Sequence, residues 1–218
     1  MGGTRVLAQM GGGSRLSRGA CSRGARVWAQ PRSAAHLLAL PVTRRIYRHA
    51  DAVVAYGEHV RRFVRGIRGR DDDVFVAPQS VEPELFGRHI SAEEIAGLRA
   101  GYDVPPGPIV LYVGRLVSEK GVGVLLDAFA AVPGPATLVL VGDGPLAQRA
   151  RRTPGTQLLG VLERERLPVA YAAAHCSVLA SLDTPRFREP WGLVCNEAMH
   201  QGRPVIASGA VGAVAGGL

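Results

Sequence analysis

The sequence predicts an α/β fold: a parallel sheet with helices on both faces. Two observations lead there. The apolar runs "IVLYVG" from 109, "TLVLVG" from 137 and "CSVLAS" from 176 are short and show no polar alternation, so both strand faces are expected to be covered. Helix-length stretches separate them in a regular rhythm, the pattern of parallel strands joined by crossover helices.

Taken in order, His36 to His49 is helical in pattern, with Pro41 as an interruption. Ala52 to Tyr56 reads as a short apolar strand, and Gly57 opens an arginine-studded helix to about Gly69. "VFVAP" at 74–78 is a second strand ended by Pro78, and "QSVEPELFGR" reads as a linker. Ser91 caps a helix whose first turn holds Glu93 and Glu94, where the helix dipole favours acids. After the Pro/Gly break at 105–108 come a strand, a helix from about Glu119 to Ala131, a strand and a short helix from Pro145. The strand "TQLLGV", a helix around Glu163 to Ala174 and the strand "CSVLAS" follow. A helix with Pro190 at its first position and Gly202 just past its end precedes the closing strand "PVIAS". There is no internal repeat.

The 218 residues are 47% hydrophobic, enough for a core in one large domain or two small ones. Charge is lopsided. Residues 1–50 hold 9 arginines and no acid, which leaves 17 basic and 18 acidic groups in the remainder. The net +8 therefore describes the N-terminal segment and gives no reason to infer a nucleic-acid surface on the folded part. Residues 1–35 read as a disordered or non-native basic segment; an organellar transit peptide has a similar composition. Cys21, Cys176 and Cys195 are odd in number and far apart, which fits reduced thiols in a cytosolic setting. No apolar run approaches the roughly 18 residues of a membrane span.

A parallel sheet of this kind places its ligand beyond the carboxyl ends of its strands. Gly114-Arg115-Leu116, Gly142-Asp143-Gly144-Pro145, Val161-Leu162-Glu163, the 181–189 loop and Ser208-Gly209 occupy those positions. Arg115 directly follows a strand, and Lys120, the single lysine of the chain, opens the next helix. A guanidinium fork and an ammonium there make a diphosphate clamp, helped by helix N–H groups. The plainer alternative is a solvated Arg and Lys on a surface loop. "GDGP" satisfies turn geometry and signals little more. In "EPWGLVCNEAMHQGRPVIAS" Glu189 is expected at a helix mouth and Glu197 two turns in, roughly 80° around at ~3.6 residues per turn. Gly192 would let a ligand approach the backbone, and the amides of Gly192, Leu193 and Val194 would face the crevice. Carboxylates that accept from hydroxyls beside amides that bind anionic oxygen suit a phosphorylated polyhydroxyl ligand. The alternative is a helix that buries Leu193, Val194 and Ala198 and exposes its acids. Asp71-Asp72-Asp73 reads as a solvated turn, and neither zinc spacing nor a serine-nucleophile elbow is present.

Together these residues resemble the C-terminal half of a retaining group 1 (family 4) glycosyltransferase of GT-B architecture. "GRLVSEKG" is similar to the family's diphosphate motif, and Glu189 to Glu197 to its E-x7-E motif. The resemblance implies a Rossmann-like, C-terminally truncated nucleotide-sugar-binding domain over 86–218. It also implies a remnant of the N-terminal acceptor domain with its linker over 36–85. Arg115 and Lys120 would neutralise the donor diphosphate without a metal or other cofactor, and Glu189 would bind the transferred sugar with the 192–194 backbone. Glu197 would accept from the ribose, and Val161, Leu162 and Glu163 would lie near the base. Gly114 would belong to the diphosphate loop. Arg115, Lys120 and Glu189 would thus carry catalysis. The implied partners are a nucleotide-sugar donor, an acceptor such as a saccharide, a lipid-linked saccharide or a small molecule, and a missing N-terminal domain. The implied setting is polysaccharide biosynthesis in the cytoplasm or peripherally on the inner face of the membrane. Two other functions are compatible with the sequence: a nucleotide-sugar-binding module or gene fragment without catalysis, and a nucleic-acid-binding protein acting through its basic arm.

Overall fold

A computed structural model describes residues 22–25 and 34–216. Two parallel sheets organise the chain. The smaller contains β1 (Ser22–Ala25), β2 (Ala52–Ala55) and β3 (Val74–Val76), in the order β1-β2-β3, with α1 (Ala34–His49) and α2 (Glu58–Arg68) between them. The linking region carries α3 (Pro83–Phe86) and α4 (Ala92–Gly101). The larger sheet contains β4 (Ile109–Val113), β5 (Thr137–Val141), β6 (Thr156–Gly160), β7 (Cys176–Leu179) and β8 (Val205–Ala207). Its helices are α5 (Val122–Ala130), α6 (Ala147–Arg152), α7 (Leu167–Ala173), α8 (Leu193–His200) and the terminal α9 (Gly212–Gly216).

The order of the larger sheet is β6-β5-β4-β7-β8, every pairing parallel. The chain moves outward from β4 through β5 to β6, then returns to the other side of β4. This reversal creates a switch point between β4 and β7, and sheets of this kind bind ligands in a crevice beyond the strand ends at that point.

Burial explains the unalternated strands. All five residues of β5 are buried. Val139 and Val141 join Ile109, Leu111 and Val113 in a core under α4 and α7, which also holds Tyr171 and Phe86. Leu138 and Leu140 join Tyr112 on the opposite face, under Leu125, Leu126 and Phe129 of α5. Each fully buried Leu or Val stabilises the fold by roughly 1.5–3 kcal/mol relative to exposure.

Several boundaries differ from the sequence reading. A strand, β1, lies within the segment read as a basic arm, and pairs with β2 from Ser22↔Ala52 to Ala25↔Ala55. The expected linker contains α3: Pro83 starts it, and Phe86 is buried with its ring edge-on to Tyr171 at 6.5 Å. The helix after β4 splits into a 3-10 turn, Ser118–Lys120, and α5, because Gly121 between them is left-handed at φ 70. The next helix begins at Ala147, two residues after Pro145. A second 3-10 turn, Arg164–Arg166, precedes α7. Ser91 behaves as expected: its side chain accepts from the Glu94 amide, and the Glu94 carboxylate accepts from the Ser91 amide at 3.0 Å.

Gly121 also sets the distance between the loops after β4 and β7. A Cβ there would stand 1.9 Å from the carbonyl oxygen of Ala180, whereas one at Gly69, with nearly the same φ of 71, would meet nothing within 4 Å. Gly69→Ala is therefore expected to cost about 1 kcal/mol, from the left-handed backbone alone. Gly121→Ala should cost roughly 3–4 kcal/mol, because strain and a backbone clash combine. Urea denaturation of both variants measures the difference; equal losses would mean that the two loops are not held at this distance.

Candidate active site

The crevice at the switch point is built from the loops after β4, β7 and β8. At its floor, the Lys120 ammonium pairs with the Glu189 carboxylate. The two side chains are only 18% and 9% exposed, so this ion pair is largely shielded from water. Ser181, fully buried at the end of β7, donates to the same carboxylate at 3.0 Å. Ser208, after β8, donates to the Ser181 carbonyl. Lys120 also lies over the Phe187 ring, 5.3 Å from its centroid. Tyr112 closes the cluster from β4, and its hydroxyl donates to the Arg115 carbonyl at 2.8 Å. Burial, and secondarily the Glu189 charge, push the Tyr112 phenol well above its ordinary value, so it remains a donor.

Glu189 does not sit at a helix mouth. α8 starts at Leu193, three residues later than expected. The segment around Glu189 is extended and makes a parallel bridge with Val211, so that the Gly212 amide donates to the Glu189 carbonyl at 3.0 Å. That tie outcompetes the helix-starting preference of Pro190. Gly192, at φ 96, then turns the chain into α8. A Cβ there would stand 2.7 Å from Leu179 and 2.9 Å from Val211, so its glycine serves core packing and the turn. The amides ahead of Cys195 lie in the first turn of α8, where helix geometry offers no acceptor.

Glu197 belongs to a second cluster. It accepts from the Tyr171 hydroxyl at 2.5 Å. Burial pushes its carboxyl above the usual range, while the Tyr171 hydrogen bond and the nearby Arg164 charge oppose that shift. Arg164 donates from one nitrogen, Nη1, to both Glu82 oxygens at 3.0 Å and lies over the Phe86 ring. It directly follows Val161, Leu162 and Glu163, the loop after β6. Val161 and Glu163 are exposed; Leu162 is buried in the core. The Cys195 thiol feels both acids: burial, then the charges of Glu189 and Glu197, push it up to about 11. It is therefore a neutral thiol and no nucleophile at neutral pH.

The structure thus brings Lys120 and Glu189 together and sets Glu197 with the β6 loop. Gly114 and Arg115 cross the rim. The Arg115 side chain is 65% exposed and pairs loosely with Glu119 at 3.6 Å. Leu193 is exposed and Val194 half-buried at the start of α8. Tyr171 is an addition that sequence reasoning missed, and Ser181, Phe187 and Ser208 lay in strand-end segments it singled out without giving them a role. Nothing in the sequence pointed to Tyr171, which lies in a short alanine-rich helix. Among the described residues, no group of three or more His, Cys, Asp or Glu could hold a metal ion, and no helix is long and apolar enough to cross a membrane.

Residues 107–216, which span this crevice, match the family described as glycosyl transferases group 1. The chain belongs to the group 1 glycosyltransferases. The D-inositol 3-phosphate glycosyltransferase of Nocardia farcinica is 31% identical over 184 residues, 76% of this chain and 39% of that protein. A glycogen synthase of Mycobacterium tuberculosis is 33% identical over 149 residues, 57% of this chain and 34% of that protein. Among solved structures, Anabaena HepE in complex with UDP and glucose superposes with a TM-score of 0.73 at 26% identity, over 89% of this chain and 54% of that one. WaaG, a glycosyltransferase of lipopolysaccharide biosynthesis, shares the fold, with a TM-score of 0.67 at 17% identity. This group 1 chain spans 26% of one curated relative it matches and 47% of another. Its sheets are accordingly part of a GT-B architecture.

Two outcomes follow from the geometry. Lys120→Ala leaves the Glu189 carboxylate buried without its cation, and is expected to cost roughly 3–5 kcal/mol. Lys120→Met combined with Glu189→Gln should restore most of that loss, and a double-mutant cycle in urea measures the coupling. Glu197 behaves differently. Because its folded carboxyl is raised, the native state holds its proton longer, and the parent loses stability as pH rises from the ordinary carboxyl range toward neutrality. Glu197→Gln keeps an acceptor for Tyr171 and removes that loss. Thermal melts at successive pH values should show a flatter profile, with no destabilisation at pH 7.

Proposed function

We propose that this chain supplies the donor half of a glycosyltransferase, which moves a sugar from a nucleoside diphosphate to an acceptor with retention and without a metal. The observation that carries the reading is the Lys120–Glu189–Ser181 cluster at the β4/β7 switch point, where parallel sheets take their ligands. Family membership and a UDP-bound neighbour at 26% identity support it.

In this reading the diphosphate enters over the loop Gly114–Lys120. Arg115 approaches it from the exposed rim, and Lys120 from the floor. Two cations preorganised at the leaving group stabilise the charge that develops as the glycosidic bond breaks. The phosphate would join an existing ion pair, so Glu189 keeps Lys120 in place before the donor arrives. Glu189 then accepts from the sugar hydroxyls beside the 192–194 amides. Glu197, anchored on Tyr171, accepts from the ribose, and Val161–Glu163 border the base. Retention rests on the family resemblance.

A second reading is a nucleotide-sugar-binding module without catalysis, which family membership alone leaves compatible. Donor binding without transfer or donor hydrolysis would select this reading.

The test is a thermal-shift screen of the chain with UDP-, GDP- and ADP-sugars. A donor at a hundred times its Kd should add about 2.7 kcal/mol to stability. UDP-glucose is the first probe. A rise in Tm with one nucleotide class, lost in Glu197→Gln while that variant stays folded, is expected. A cooperative transition unmoved by every nucleotide sugar would overturn the donor-site reading.

A further inference from the structure

The backbone that carries Glu189 is held partly by residues remote from the ion-pair cluster. Trp191, two residues on, is buried. Its indole N–H donates to Oδ1 of Asn196 at 2.8 Å, and Nδ2 of Asn196 donates to the Gln79 carbonyl at 3.3 Å. The chemistry fixes this orientation of the amide, because an indole only donates and a carbonyl only accepts. Gln79 lies just after β3, so the contact reaches from α8 to the chain leaving the smaller sheet. The ring of Trp191 meets that sheet's side a second time. A Cβ on Gly57, which caps α2, would be 3.4 Å from the indole, and one on Gly216 of α9 would be 3.1 Å away. His59 of α2 fills the same niche beside Gly57 and Gly216. The Ala213 amide donates to the Trp191 carbonyl at 2.8 Å, beside the bond from Gly212 to Glu189. The segment 189–191 is therefore keyed to the larger sheet through α9, and to the smaller sheet through Trp191.

We propose that Trp191 and Asn196 are positioning residues for Glu189, forming a relay that holds its segment in register with the smaller sheet, so that donor affinity depends on how that sheet is seated. The proposal rests on the donor-site reading above. It assigns no contact with the donor to either residue. Cutting the relay at either link leaves a half-buried polar group without its partner and loosens one end of the segment.

The test uses the full chain with Trp191→Phe, which removes only the N–H and some ring area, with Asn196→Asp, and with both. Asn196→Asp still accepts from the indole but cannot donate to Gln79. Affinity is measured by calorimetry, well below every variant's Tm, for UDP-glucose or for the GDP- or ADP-sugar that stabilises the parent. Amide hydrogen exchange is followed without any ligand. Each single change is expected to weaken donor binding about five- to tenfold, and the double change little more than either. Exchange should quicken at 79–82, 189–193 and 212–213 and stay unchanged in β4 and β5. Unchanged affinity in both single variants overturns the proposal, as does a double variant whose loss is the product of the singles. A purely structural role would lower Tm and leave affinity and the local exchange pattern alone. If the parent binds no nucleotide sugar, the donor-site reading fails by itself. Exchange then decides the relay separately: parent-like exchange at 189–193 sinks it, and faster exchange there supports it.

Discussion

The buried pair of Lys120 and Glu189 is the constraint on which the crevice depends. A lysine and a glutamate shielded from water are tolerated only when each neutralises the other and nearby donors complete the hydrogen bonding. Here Ser181 completes it, and Ser208 holds Ser181. The pair joins the loop after β4 to the loop after β7, which lie on opposite sides of the switch point. Those loops can meet only because Gly121 admits the Ala180 carbonyl. Chemistry and topology thus converge on one place: the charges that a phosphorylated sugar would need are also the charges that tie the two halves of the sheet together.

This dual use shapes what the site can tolerate. Lys120 and Glu189 cannot be separated into a binding residue and a structural residue, since each holds the other. Arg115 differs. Its side chain reaches solvent and pairs loosely with Glu119, so it can turn to a ligand at little structural cost. Glu197 lies between these cases. Burial raises its carboxyl, while the Tyr171 hydrogen bond and the nearby Arg164 charge oppose that shift. Arg164 in turn holds Glu82, so the Glu197 cluster touches the region that joins the two sheets. The two acids of the motif therefore have different partners, although both charges act on the Cys195 thiol.

Much of the larger sheet was legible from composition and period. β4 is apolar throughout, and β5 is apolar after Thr137, because both faces are covered, and that pattern survives in a linear reading. Ser91 and Glu94 announced their helix through a local hydrogen-bond exchange that needs no tertiary partner. The failures cluster where long-range contacts override local preference. Pro190 is a good helix starter, yet the bridge from Glu189 to Val211 keeps its segment extended, and α8 waits for Gly192. The linker hides α3, which forms because Phe86 finds Tyr171. β1 escaped notice because a strand of Ser, Arg, Gly and Ala carries no apolar signal and exists through its pairing with β2.

The sequence by itself determined that this is a parallel α/β chain, that its polar loops gather at the strand ends, and that "GRLVSEKG" and Glu189 to Glu197 carry the resemblance to group 1 glycosyltransferases. These properties follow from side-chain character and spacing, which are local. Only the tertiary structure decided that Lys120 faces Glu189, that Glu197 turns instead to Tyr171 and Arg164, and that Ser181 joins the site. Those pairings span 69, 26 and 8 residues respectively for Lys120–Glu189, Tyr171–Glu197 and Ser181–Glu189. The first spans the strand order, the second depends on how α7 docks against α8, and the third on the extended path of the 181–189 loop. None is encoded in local periodicity, because which strand ends become neighbours is settled only when the sheet reverses direction at β4.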